Sequence, residues 1–255
     1  MIAQEVGLTE LLPSPHYARA PITEAVIELR VANPATVKQQ EKVVKRLKKL
    51  YPRSEAMQAF SVNVDTTGGT LSVSQSPQGF RLTNDDQTGV VLIQPNGVTT
   101  SRLPPYPGWE ALRESAQIVW DHWKRSTPRQ PVNRIGVRYV NRIDVPLDES
   151  PTIDLKDYLQ FYPQNPCLSG GYMIGHIIQV TRPTIMPHWT YSITSTIKPP
   201  PLLKHFSVLL DIDVFRKNDI PSKEEQLWNV IDEARNIKND IFQRCITDKT
   251  RELIS

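Results

Sequence analysis

Three arginines recur every fourth residue in the stretch VNRIGVRYVNRID: Arg134, Arg138 and Arg142. In an extended chain that spacing places them on one face, roughly 13 Å apart. Their guanidinium forks suit carboxylate or phosphate oxygens. Two carboxylate pairs of compatible period occur elsewhere, Glu24 and Glu28 in PITEAVIELRV and Asp211 and Asp213 in VLLDIDVF. If these three segments are neighbouring strands, arginines and carboxylates interleave into a charged lattice. Such a lattice reads either as cross-strand ion pairs on a sheet face or as a polar groove. In the groove reading Arg138 and Arg142 would fork around an anionic ligand or another chain. A magnesium reading of Asp211 and Asp213 is weaker, because the nearby arginines compete for both carboxylates and no third ligand is evident. No metal site and no cofactor is expected.

A second constellation is purely cationic. Residues 38–49 contain Lys38, Lys42, Lys45, Arg46, Lys48 and Lys49 against Glu41 alone, a local charge of +5. The other 24 basic and 26 acidic residues come to −2, so the whole excess behind the net +3 lies in this segment. Lys38, Lys42, Lys45 and Lys49 repeat at intervals of 4, 3 and 4, one stripe of a helix, and Val37, Val44, Leu47 and Leu50 form an apolar stripe. The basic stripe reads either as the solvated side of an amphipathic helix or as a docking face for phosphate or for an acidic protein surface.

Motifs for the common enzyme chemistries are missing. The sequence has no HExxH, CxxC, GxSxG, GxxxxGK or GxGxxG. His16, His122, His176, His188 and His205 show no metal-ligand spacing. The reading therefore leans away from an enzyme. Cys167 and Cys245 stand far apart in the sequence, which fits a reducing cytoplasm with both thiols free. No run approaches the roughly 18 apolar residues that a membrane span needs. The opening MIAQEVGLTELLPSP lacks the basic and apolar regions of a secretory signal, so cytoplasmic localisation without membrane association is expected. Charged residues at 22% and hydrophobic residues at 39% describe an ordinary globular chain of 255 residues.

The elements that must position these residues follow from period and punctuation. Residues 1–20 read as a poorly ordered lead-in. Ile22–Val31 alternates, with Thr23, Ala25, Ile27, Leu29 and Val31 on the apolar face. The basic helix follows, with Asn33 as N-cap, Pro34 in the first turn and Pro52 as its end. Short strands are then expected at Phe60–Asp65, Leu71–Gln75, Phe80–Thr83, Val90–Gln94 and Val98–Leu103. Turns at Gly68-Gly69, Ser76–Gly79, Asn84–Asp86 and Asn96-Gly97 separate them into an antiparallel meander. A helix over about Pro107–Arg125 carries Trp109, Leu112, Ala116, Val119, Trp120 and Trp123 on one side, a core-packing stripe. After the connector STPRQP the same order begins again. A strand is expected at Val132–Val145 and a short helix at Ile153–Phe161. Strands follow at Tyr172–Arg182, after a Ser169–Gly171 turn, and at Trp189–Lys198 and Leu202–Arg216. The last helix opens after Pro221 on a capping box of Ser222 with Glu225. The fold class is α+β, built as two tandem β-α-β(meander)-α halves, 21–126 and 132–255. Each half is similar to helix-grip or TATA-binding-protein-like arrangements, an antiparallel sheet backed by helices, with two ferredoxin-like units as runner-up.

PITEAVIELRV, YPGWEALRE, VNRIGVRYVNRID, VLLDIDVF and IFQRCITDKTRELI together carry a wider pattern. It resembles a sporadically distributed family of bacterial proteins of about this length, from Pro21 to the C-terminus. The resemblance brings no settled activity. Its scattered distribution implies horizontal transfer, as for genes of phage defence, toxin–antitoxin pairs and mobile elements. The leading expectation is a non-enzymatic interaction or regulatory protein, a partner subunit in such a system, bound to a protein encoded nearby. The alternatives are a nucleic-acid-binding protein using the lysine stripe with the arginine strand, and a small-ligand-binding helix-grip module. Homo-oligomerisation stays open.

Overall fold

The computed structural model describes residues 11–12, 15–65, 70–148, 153–164 and 174–255, with side chains described outside 60–74. The protein is α+β. Nine strands hydrogen-bond into one antiparallel sheet in the order β2-β3-β4-β5-β1-β6-β9-β8-β7, and four α-helices accompany it among the described residues. The strands are β1 (Ile22–Val31), β2 (Arg53–Asp65), β3 (Thr70–Thr83), β4 (Gly89–Gln94), β5 (Gly97–Arg102), β6 (Val132–Pro146), β7 (Ile177–Pro183), β8 (Trp189–Lys198) and β9 (His205–Arg216). The helices are α1 (Val37–Leu47), α2 (Trp109–Lys124), α3 (Glu224–Cys245) and α4 (Asp248–Ile254). The chain divides into two compact units, one of Val26–Ile135 and one of Gly136–Ser255 with the chain up to Ala25.

In the Val26–Ile135 unit the alternation of β1 is realised, with Ile27, Leu29 and Val31 buried and Arg30 exposed. Leu82 of β3, Val91 and Ile93 of β4 and Val98 of β5 fall on one face by register and are buried. All six expected apolar positions of α2 are buried, and so is Ser115. Helix α1 starts later than Asn33 and Pro34 imply. Thr36 is its N-cap, and a reciprocal capping box with Gln39 fixes the start. It also ends before Pro52, because the amides of Leu50 and Tyr51 both turn back to the Leu47 carbonyl. The buried side is therefore Gln40, Val43 and Leu47, while Val37 and Leu50 are exposed.

The expected turn at Ser76–Gly79 is instead a bulge inside a continuous β3. Opposite it, Met57 pairs with Gly79 and Gln58 with Pro77, so Gln78 is the extra residue. Gly79 has φ +121°, and a Cβ there would strike the Ile93 carbonyl oxygen, which ties the bulge to glycine. Past the bulge, β2 and β3 stay paired out to Asp65 and Thr70, although β3 meets β4 only over Phe80–Thr83. The turn at Gly68-Gly69 lies outside the described residues. The hairpin at Asn96 forms as expected, and Gly97, at φ +142°, sits where any Cβ would strike the Leu29 carbonyl.

In the other unit the strand order is β6-β9-β8-β7. Val137, Tyr139, Ile143 and Val145 alternate into the core, as do Val208, Leu210, Ile212 and Val214, and α3 packs on β9. Four expectations are corrected. The helix at Ile153–Phe161 is a single 3-10 turn, Leu155–Asp157, because the chain continues at once into a bridge between Leu159 and Ile246. Strand β7 begins at Ile177 among the described residues, and Tyr172 and the Ser169–Gly171 turn lie outside them. Strand β9 begins at His205, since Leu202 and Leu203 belong to an exposed loop. The Ser222–Glu225 box does not form. Lys223 is the N-cap, which puts Glu225 one position too early to reach back.

Part of the lead-in is anchored. Leu12 donates its amide to Asp240, the Tyr17 hydroxyl donates to Gln243, and the Arg19 amide donates to the Ile254 carbonyl. Residues 1–10, 13–14 and Cys167 lie outside the described residues. No described helix is long and apolar enough to cross a membrane.

Candidate functional site

Two of the three arginines of β6 meet expected carboxylates, Arg134 at Glu28 and Arg138 at Asp211, while Arg142 meets Asp144 of its own strand. Arg138 grips Asp211 with both arms, Nε to Oδ1 at 2.8 Å and Nη2 to Oδ2 at 2.6 Å. The Asp211 hydrogen bond, reinforced by the charges of Asp213 and Glu24, raises the Arg138 pKa further. Arg134 pairs with Glu28, which also accepts from Arg30 at 2.6 Å. Arg142 reaches along its own strand to Asp144 at 3.1 Å, and Asp144 also accepts from the Ser207 hydroxyl. All three arginines are thus matched by carboxylates. The Arg138–Asp211 and Arg142–Asp144 pairs are partly exposed, with the Arg138 side chain 49% accessible, whereas Arg134 and Glu28 are largely covered. Exposed pairs of this kind contribute only about 0–1 kcal/mol each. Asn141 was not among the candidates. It is buried in β6 and donates to the Leu210 carbonyl at 3.0 Å, locking β6 to β9.

The cations of α1 are different. Lys38, Lys42, Lys45, Arg46 and Lys49 are all exposed, with Lys49 in the turn beyond the helix end. Lys42, Lys45 and Arg46 line a depression of about 560 Å³ together with Arg125 and Ser126, which follow α2. Among the described residues none of these four cations pairs with a carboxylate. Lys38 and Lys49 do not line the depression. Nor does it include Arg134, which with Glu28 lies on the face of the sheet opposite Ile27 and Leu29. The lysine stripe and Arg134 are therefore separate features of this unit.

Helix periodicity identifies Lys42 and Lys45 but not Arg125, which reaches the depression only because α2 ends beside α1. The available signal was weak, a cation in the last turn of a helix. His122 sits within electrostatic range of this cluster. Burial, then the charges of Arg125 and Arg46, hold its pKa below the usual histidine value, although Asp121 acts the other way. Among the described residues its buried Nδ1 has no hydrogen-bond partner.

Two further groups were not anticipated. Lys238 of α3 is buried, and its ammonium lies 3.6 Å from the centre of the Tyr139 ring. Burial, aided by the charge of Arg235, pushes its pKa down to about 7. Burial likewise pushes the Cys245 thiol up to about 12, so this cysteine is an inert core residue rather than a nucleophile. Among the described residues no three of His, Cys, Asp and Glu gather as a metal site would require. No family model matches this chain, and no curated protein matches it.

Proposed function

We propose that the protein is a non-enzymatic interaction protein that docks an acidic partner surface on the basic side of α1 and the end of α2. It would serve as the regulatory or partner subunit of a phage-defence or toxin–antitoxin-like system. One observation carries the reading. Arg134, Arg138 and Arg142 of β6 are matched by carboxylates, whereas Lys42, Lys45, Arg46 and Arg125 converge on one depression and, among the described residues, pair with none. Clustered like charges repel one another and raise the energy of the free protein, so an anionic surface that neutralises them gains that energy on binding.

The two halves are read as repeats of one β-α-meander-α plan of helix-grip or TATA-binding-protein-like kind. In support, each opening strand lies beside the last strand of the meander that follows it, β1 beside β5 and β6 beside β9. The same cations favour a second reading, nucleic-acid binding through phosphates, in which each contact steepens the salt dependence.

The test is recovery of the tagged full chain from cells carrying its native gene neighbourhood. A protein partner should co-purify, and charge reversal of Lys38, Lys42, Lys45 and Lys49 to Glu should release it. Retention of the partner by the reversed variant would sink the docking reading. Recovery of nucleic acid in place of protein would select the second.

A further inference from the structure

The end of a helix is ordinarily a poor place for an anion, because its free carbonyls form the negative end of the helix dipole. At the end of α2 those carbonyls are capped. The Asp121 carbonyl accepts from the Arg125 amide at 3.1 Å, and the His122 carbonyl accepts from the Ser126 hydroxyl at 2.8 Å. The Trp123 carbonyl accepts from the amides of Ser126 and Thr127 and from the Thr127 hydroxyl, at 2.9 to 3.0 Å. The Asp121 carboxylate is held by Lys124 at 2.9 Å. Glu41, the single carboxylate of the basic segment, does not line the depression. The carbonyls at the end of α2 and the Asp121 carboxylate are thus engaged and Glu41 lies outside the lining, while two guanidiniums and two ammoniums from different stretches of chain face one space.

The dimensions and lining restrict the ligand. About 560 Å³ is much more than one phosphate occupies and lies in the range of small-molecule sites. The lining residues are Lys42, Lys45, Arg46, Arg125 and Ser126, without an aromatic or aliphatic wall to hold a base or an acyl chain. Recognition there must come from charge distributed along the ligand.

We propose that this depression binds a polyphosphate chain, either inorganic or as the tail of a nucleotide. The proposal rests on the reading of the cluster as an anion-docking face. Arg46 and Arg125 fork onto phosphate oxygens, and Lys42 and Lys45 act as point charges. A bound chain competes with the acidic partner and so regulates docking.

The test is calorimetric titration of the full chain at low salt with inorganic tripolyphosphate, ATP, AMP and inorganic phosphate. Tripolyphosphate and ATP bind saturably with similar affinity, and AMP and phosphate bind roughly tenfold more weakly or worse, as expected when multiple charge-assisted contacts carry the energy. Arg46→Ala with Arg125→Ala weakens tripolyphosphate by about tenfold or more, whereas Lys38→Ala with Lys49→Ala leaves it unchanged within about twofold. Should the alanine pair perturb folding by circular dichroism, Arg46→Lys with Arg125→Lys keeps the charge and removes the forks, and weakens binding by roughly threefold or more. Binding of ATP with tripolyphosphate silent, no saturable binding, or equal loss in the Lys38/Lys49 variant overturns the proposal. Partner docking is scored separately with Lys38→Glu and Lys49→Glu, which lie outside the depression. Either reading can therefore fail without the other.

Discussion

Single residues differ sharply in how much they hold. Arg138 and Asp211 form a two-armed pair, but half of the arginine side chain is in water. Replacing Arg138 with Ala is expected to cost no more than about 1 kcal/mol in urea unfolding, because exposed pairs exchange one well-solvated state for another. Gly97 has no charge and makes no side-chain contact. Its φ of +142° and its approach to the Leu29 carbonyl nonetheless leave no room for a Cβ. Gly97→Ala is expected to cost roughly 1–3 kcal/mol, and a urea midpoint unchanged from the parent would show that the backbone gives way there. The ion pair is thus the more visible feature, and the glycine the more consequential one.

At the scale of elements, α1 and α2 carry the candidate site and depend on different forces. Helix α1 has 11 residues and buries only three of them, so its ends matter. Thr36→Ala removes one arm of the capping box and is expected to cost about 1 kcal/mol, with weakened amide-exchange protection confined to α1. Helix α2 is held by burial. Trp123 is 1% exposed, and Trp123→Ala should cost roughly 3–5 kcal/mol and lower the cooperativity of unfolding. Because the two helices together form the depression, Trp123→Ala should also weaken anion binding although no lining residue changes, which salt-dependent titration would read.

Over the whole molecule, buried titratable groups set the dependence of stability on pH. Lys238 titrates at about 7 when folded and near 10.5 when unfolded, so between these values the unfolded chain holds more protons. Stability then rises with pH, by up to about 1.4 kcal/mol per pH unit. Cys245 works in the opposite sense. Its thiol stays protonated to about 12 in the fold and ionises from about 9 in the unfolded chain, so stability falls as pH rises past 9. Tyr51, also raised by burial, adds to that fall at still higher pH. His122 and His176 are both lowered, and their contribution is fully present above pH 6.5 and is lost as pH falls through their folded values. Thermal unfolding should therefore show stability climbing from pH 7 to about 9 and levelling or declining beyond it. Lys238→Met should flatten the climb, and a variant that kept it would assign the effect to another group.

Much of this was legible in the chain itself, where the physics is local. The period-two alternation of Ile22–Val31 and Val132–Val145 and the tryptophan stripe of α2 specify which side of each element is apolar, whatever lies beside it. The clustering of charge in residues 38–49 is likewise a property of the sequence. Local rules failed where two of them competed. Asn33 and Thr36 both qualify as caps, and only Thr36 finds Gln39 in reach. Ser76–Gly79 reads as a turn but becomes a bulge because β2 stays paired opposite it. Apart from pairs along one strand such as Arg142 with Asp144, the partners of charges lay beyond any local rule. That Arg138 would meet Asp211 follows from β6 lying beside β9, and that Arg125 would join Lys42 and Arg46 follows from α2 ending beside α1. The sequence alone determined which residues are charged and which faces are apolar, because those depend on side-chain chemistry and backbone period. Only the tertiary structure decided which charges are neutralised and which are left facing solvent, because electrostatic energy depends on distances between segments far apart in the chain.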